Sequence, residues 1–170
     1  MKLILSVILL FTVTSVSASS DKSIGGFAVH VGIGSLYGGG GASIEYQVLV
    51  SPLWRLSPFV SAGSTMSIYN DNIYRFGYCV GVNAEFGRSH RLFIGPSFGS
   101  QYLDYDKDSS DHFSNVNTVV GPAMVLGYKG TARFGLMWLI YGGMSYLIND
   151  KHEPKPGFAP VFGLGIGYKF

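Results

Sequence analysis

Charge is what this sequence has least of. Only 13% of its 170 residues are Asp, Glu, Lys or Arg, about half the ~25% of an ordinary soluble domain. So few charges cannot coat the whole surface of a water-soluble enzyme. The formal net charge of +2 supplies no basic stripe, which excludes a nucleic-acid interface. Cysteine is nearly absent too. Cys79 stands alone, so no intramolecular disulfide can staple the chain as in many small exported domains. No glycine recurs strictly every third residue, which excludes collagen. No stretch after the N-terminus is long enough for a membrane helix. The longest apolar run, Phe134 to Ile148, has 15 residues with Gly142 and Gly143 inside it, against the ~20 that a helix needs. What is present is 47% hydrophobic residues, 15% aromatics and 24 glycines. The aromatics exclude a disordered chain, and the glycine share is twice the usual ~7%.

The chain opens MKLILSVILLFTVTSVSA. Lys2 heads an apolar core from Leu3 to Phe11, and Val16-Ser17-Ala18 places small residues at a cleavage site. This pattern predicts a secretory signal peptide over residues 1–18, removed from a mature domain of residues 19–170. No cysteine lies next to the cleavage site, so no lipid anchor is expected.

The mature chain alternates with a period of two. From Tyr74 onward, Tyr74, Phe76, Tyr78, Val80, Val82, Ala84 and Phe86 form one face, and Arg75, Gly77, Cys79, Gly81, Asn83, Glu85 and Gly87 the other. Phe158, Pro160, Phe162, Leu164, Ile166, Tyr168 and Phe170 repeat the apolar face at the C-terminus. A period of two is the signature of a strand. The same test predicts eight strands at approximately 25–35, 40–50, 56–69, 73–86, 91–105, 115–128, 132–148 and 157–170. Pro96 and Pro122 fall mid-strand, where a proline removes a ladder bond, so bulges or local breaks are expected there.

The second face of each strand carries mostly Gly, Ser, Asn and Gln rather than Lys and Glu. That fits a narrow lumen better than a wet surface, with the apolar face turned to lipid. Ten residues at ~3.3 Å rise, tilted about 45°, span roughly 24 Å, close to the apolar band of an outer-membrane barrel. The predicted fold is all-β: a transmembrane antiparallel up-and-down β-barrel of eight strands. An even strand number puts both termini at one end, with the longer connections, such as Asp106–Ser114 and Asn149–Pro156, at the other. Aromatics gather at both strand ends, Trp54, Phe86, Tyr128, Phe134 and Phe170 at one and Tyr69, Tyr74, Tyr102, Tyr146 and Phe158 at the other.

The leader, the eight alternating strands and the terminal GIGYKF together resemble small outer-membrane β-barrels of the OmpA/OmpX type. The resemblance is one of architecture and covers the mature chain. It implies a monomer in the outer membrane of a Gram-negative-type bacterium, in contact with lipid and lipopolysaccharide. It also implies that Ile166, Tyr168 and Phe170 form the C-terminal signal read by the barrel-assembly machinery. A structural or surface-contact role follows, not an enzymatic one, with no cofactor and no metal.

Several constellations carry possible chemistry. His30, Glu45, Arg75, Glu85 and Arg133, with Lys169, fall on lumen faces by alternation. Unpaired buried charge is costly, so these predict paired ions that fill the lumen, with a gated narrow pore as the alternative. His112 and Ser114 resemble the His-x-Ser pair of lipid A deacylases of the PagL type, with Glu153, the only downstream Glu, to orient the base. In that family the pair lies nearer the C-terminus and the Glu follows closely, whereas here Glu153 lies 39 residues beyond Ser114. Asp104, Asp106, Asp108 and Asp111 open like a calcium loop, but Ser109 and Asn115 stand where the loop needs Gly and Glu. Gly38–Gly41 lacks the helix and Gly-Lys-Ser/Thr of a phosphate loop and reads as a flexible outer turn. Cys79, on a lumen face between Gly77 and Gly81, reads as a small buried residue rather than a reactive thiol.

Overall fold

The computed structural model describes residues 25–66, 74–105, 116–148 and 157–170. The strands are β1 (Gly25–Gly34), β2 (Gly39–Leu49), β3 (Trp54–Met66), β4 (Tyr74–Gly87), β5 (His90–Tyr105), β6 (Val116–Thr131), β7 (Leu136–Leu147) and β8 (Gly157–Lys169). Each pairs antiparallel with its sequence neighbours, and β8 returns to β1, so the sheet closes as an eight-stranded up-and-down barrel. The strand bounds follow the alternation of the sequence to within a few residues. The leader read at residues 1–18 lies outside the described residues. Among the described residues, no helix is long and apolar enough to cross a membrane.

Parity decides what each side chain meets. Along β4, Phe76 is 72% exposed on the outside of the wall, whereas Cys79 and Glu85 are fully buried inside it. The outer rows of β7 and β8 behave alike, with Trp138, Ile140, Met144, Phe162, Leu164 and Ile166 all exposed. Neighbouring strands set aromatics against one another on this outer surface. Phe27 packs on Tyr46 at 4.8 Å between ring centroids, Trp54 on Phe86 at 5.2 Å, and Tyr146 on Phe158 at 5.4 Å. Such cross-strand pairs each add about 0.2–1 kcal/mol and hold the register. Tyr69 and the side chains of Tyr74 and Tyr102 lie outside the described residues.

The mid-strand prolines break the ladder without shifting it. β5 pairs with β6 straight through Pro96, opposite Met124, but its pairing with β4 lapses between Ser97 and Ile94 and resumes in the same register. Pro122 pairs opposite Phe98 on β5, and its β7 side lapses until Val120 bridges Ile148. Pro58 keeps its place opposite Val82 while the β2 ladder skips it. Each proline turns its donor-free nitrogen to the side where pairing lapses and its ring to the exposed face. The one register shift of β5 against β6 lies elsewhere, between Ser100 and Tyr102.

The interior departs from a lumen lined by small polar groups. Phe59, Phe93, Val125, Leu139, Tyr141 and Val161 point inward and pack into a buried cluster with Leu36 and Tyr37. The last two come from the connection between β1 and β2, where a 3-10 turn, Ser35–Tyr37, folds into the barrel. Gly38–Gly41 is therefore not an outer turn. Gly38 is buried in the left-handed region at φ 64°, its carbonyl accepting from Thr65 Oγ1 at 3.0 Å, and Gly39–Gly41 already belong to β2. Ser61 Oγ donates to the Leu36 carbonyl at 2.6 Å, and the Leu36 N–H donates to Tyr141 Oη at 2.9 Å. The glycine-rich walls make this insertion possible. A methyl group on Gly32 or Gly165 would collide with the Tyr37 ring, and one on Gly41 or Gly63 with the Tyr37 carbonyl.

Candidate functional site

The start of β1, the C-terminus and the connections 50–53, 88–89 and 132–135 share one end of the barrel, here the turn end. The other is the loop end. Just inside the turn end, inward positions of four strands bring polar side chains to one level. β2 supplies Glu45 and Gln47, β4 Glu85, β5 Arg91 and β6 Lys129. All five are buried, none more than 2% exposed.

Their contacts form a closed ring across the lumen. Lys129 Nζ donates to Glu45 Oε2 at 2.6 Å and also to Glu85 Oε1. Glu85 Oε2 accepts from Arg91 Nη1 at 2.7 Å. The same nitrogen reaches Gln47 Oε1 at 3.2 Å, and Gln47 Nε2 donates to Glu45 Oε1 at 2.7 Å, which closes the cycle. Arg91 Nη2 extends it to Thr131 Oγ1 at 2.5 Å. Two carboxylates balance two cations, so the ring has no net charge. Bridging in this way meets the main condition for burying ions, which is that each keeps a hydrogen-bonded partner of opposite charge. Phe93 adds its ring face to Lys129, with the ammonium 5.5 Å from the centroid.

Toward the loop end, the ring borders a cavity of about 10 Å³ lined by His30, Tyr37, Asn83 and Phe93 as well as Glu45 and Lys129. That is room for about one water. The inserted Tyr37 forms part of its wall. Burial, with Tyr141 and Glu45 nearby, pushes the Tyr37 pKa above its ordinary value, so the phenol stays protonated. Cys79 is buried among the lumen residues.

The residues singled out from sequence separate into groups. His30, Glu45 and Glu85 meet in the lumen, with His30 Nε2 3.8 Å from Glu45 Oε2. Arg75, in register with Thr65, is exposed toward the loop end. Arg133 lies exposed in the β6–β7 turn, and Lys169 is half-buried at the end of β8. Ile166, Tyr168 and Phe170 are exposed along the outer face. His112, Ser114 and Glu153 lie outside the described residues, as do Asp106, Asp108 and Asp111. Arg91 and Lys129, both cations of the ring, are not among the sequence candidates. A signal for Arg91 was present, because Leu92 and Ile94 on the outer row place it inward by parity. Lys129 reads as a turn residue until β6 is seen to run on to Thr131.

The closed eight-stranded antiparallel meander has the architecture of the small OmpA/OmpX-type barrels. The structure is similar to the N-terminal β-barrel domain of Pseudomonas aeruginosa OprF, with a TM-score of 0.53 over 85% of this chain and 97% of that one, at 14% sequence identity. No protein-family model matches the sequence, and no curated protein matches it.

Proposed function

We propose that the chain is an outer-membrane β-barrel protein with a plugged lumen and a structural or surface-contact role. The observation that carries this reading is the inverted wall, with exposed Phe, Ile, Leu and Trp rows outside and a hydrogen-bonded ion ring inside. Water would not favour so continuous an apolar exterior, whereas lipid requires one. Closure leaves no sheet edge, the condition for strands in a medium that offers no hydrogen bonds. Residues 1–18 are the export leader, the turn end faces the periplasm, and the loop end faces outward. The connections at 67–73, 106–115 and 149–156 carry Asp71, Asp106, Asp108, Asp111, Asp150 and Glu153 against Lys107, Lys151 and Lys155. That acidic balance suits contact through divalent cations with the phosphates of lipopolysaccharide. Ile166, Tyr168 and Phe170 on β8 are the strand presented to the barrel-assembly machinery, and the barrel works as a monomer. The inserted turn and the ion ring support a lumen that does not conduct.

Two measurements test this. The protein refolded in detergent should migrate differently on a gel before and after boiling, and planar bilayers containing it should stay silent. A monodisperse protein in detergent-free buffer would overturn the membrane assignment. Steady conductance that Lys129→Met alters would overturn the plug in favour of a gated pore.

A further inference from the structure

Beyond the ion ring, the turn end opens into a cavity of about 360 Å³. Its charged lining is all of one sign: Arg55 from the start of β3, Arg88 from the β4–β5 turn, Arg133 from the β6–β7 turn and Lys169 from the end of β8. Among the described residues, every ion pair involves Glu45 or Glu85, and none involves these four cations. The two carboxylates are already balanced by Arg91 and Lys129, so the ring behind the cavity adds no compensating charge. Arg55 lies in register with Glu85, yet Glu85 spends its oxygens on Arg91 and Lys129. Ser89 and Thr131 add hydroxyl oxygens to the lining.

We propose that this vestibule is a binding site for a small diphosphate-bearing anion. Four cations around one ligand fit an anion of about three to four negative charges, which two linked phosphates carry. Guanidinium forks match phosphate oxygens in pairs, and three of the four cations are arginines. The volume lies at the lower end of small-ligand sites, so the occupant is compact. The cations come from four separate stretches of chain, and closing the barrel brings them together. A concave mouth with low-dielectric walls concentrates their field on the ligand. The site needs only the closed turn end, so its failure would leave the membrane reading standing.

The test uses the full barrel in detergent and isothermal titration with pyrophosphate, inorganic phosphate, citrate and acetate. Pyrophosphate should bind saturably, more tightly than the other three, and progressively less tightly as salt is raised. Arg133→Gln and Arg55→Gln should each weaken it about tenfold, the scale of one charged hydrogen-bonding partner. Arg75→Gln, at the opposite end, should change nothing. Circular dichroism and heat-shifted mobility confirm that each variant is folded, and Arg133, in a turn, is the variant least exposed to that risk. Bicelles carrying a diphosphate-headed lipid form a second arm. Tighter binding there than to free pyrophosphate identifies a lipid headgroup as the source, and the reverse a free solute. Absence of saturable pyrophosphate binding, equal binding of citrate, or equal weakening by Arg75→Gln would overturn the proposal.

Discussion

Glu45 on β2 and Glu85 on β4 reach the same ammonium, and that sharing sets the cost of losing it. Lys129→Met removes one cation, leaves Glu45 buried with Gln47 as its one strong partner, and leaves the ring with two carboxylates against Arg91 alone. It should destabilise the barrel by about 3–5 kcal/mol, the scale for breaking a buried pair from one side. Urea unfolding in lipid vesicles measures this. Adding Glu85→Gln should cost less in the Lys129→Met background than alone, because the carboxylate no longer has that partner. Arg75→Ala, exposed, should stay within about 0.5 kcal/mol of the parent. If Lys129→Met unfolds at the parent's urea midpoint, the ring contributes no stability. The acidic half of the ring was legible in the sequence, since Glu45 and Glu85 stand on the polar face of strongly alternating strands. The basic half was not. Arg91 opens the strand expected at 91–105 and faces inward by parity, but a cation at a strand's first residue reads as a turn charge. Lys129 lies one residue past the expected end of its strand at 128, where alternation is no longer applied.

Strand order and parity were written into the sequence because a lipid-facing row tolerates few exceptions, so the period of two persists for ten residues and more. The inserted β1–β2 connection was not. A run of four glycines reads locally as a flexible turn, and only the seated Tyr37 shows why Gly41, with Gly32, Gly63 and Gly165 on the facing walls, is glycine. Gly165→Ala should therefore crowd the Tyr37 hydroxyl and cost about 1–3 kcal/mol, as overpacking does. Tyr37→Ala should remove most of that added cost, read from the same unfolding experiment as a double-mutant cycle. Equal cost of Gly165→Ala in both backgrounds would show that the turn does not occupy the lumen as described. The closing seam is also short. β8 meets β1 over seven register pairs, from Ala28 to Gly34, and β7 over twelve. A strand held firmly on one side and lightly on the other suits the last step of closure. On the proposed role of the C-terminal residues, Phe170→Ala should lower the amount of assembled barrel in cells but leave spontaneous refolding into detergent unchanged. Equal loss in both settings would assign Phe170 to stability alone.

For the whole molecule, scarcity of charge and abundance of glycine are two sides of one inversion. The wall spends most of its apolar residues outward, and the interior is filled with small residues, a buried cluster of aromatic and aliphatic side chains, and a ring of paired ions. Charge polarity follows the axis, with basic side chains at the turn end and a net acidic set of connections at the loop end. Leu164→Arg, mid-strand on the outer row, should cost about 2–4 kcal/mol if that row faces the bilayer midplane. The central claim is that the outer rows touch lipid, and spin-label accessibility tests it most directly. With Cys79 replaced by Ala, labels are placed one at a time at Leu126, Ile140 and Leu164 on the outer rows and at Arg88 in the turn, and the protein is reconstituted in vesicles. The account predicts that the three outer labels relax with oxygen, which concentrates in lipid, and resist a water-soluble nickel chelate, while the label at Arg88 does the opposite. Outer labels as open to nickel as the label at Arg88 would contradict it.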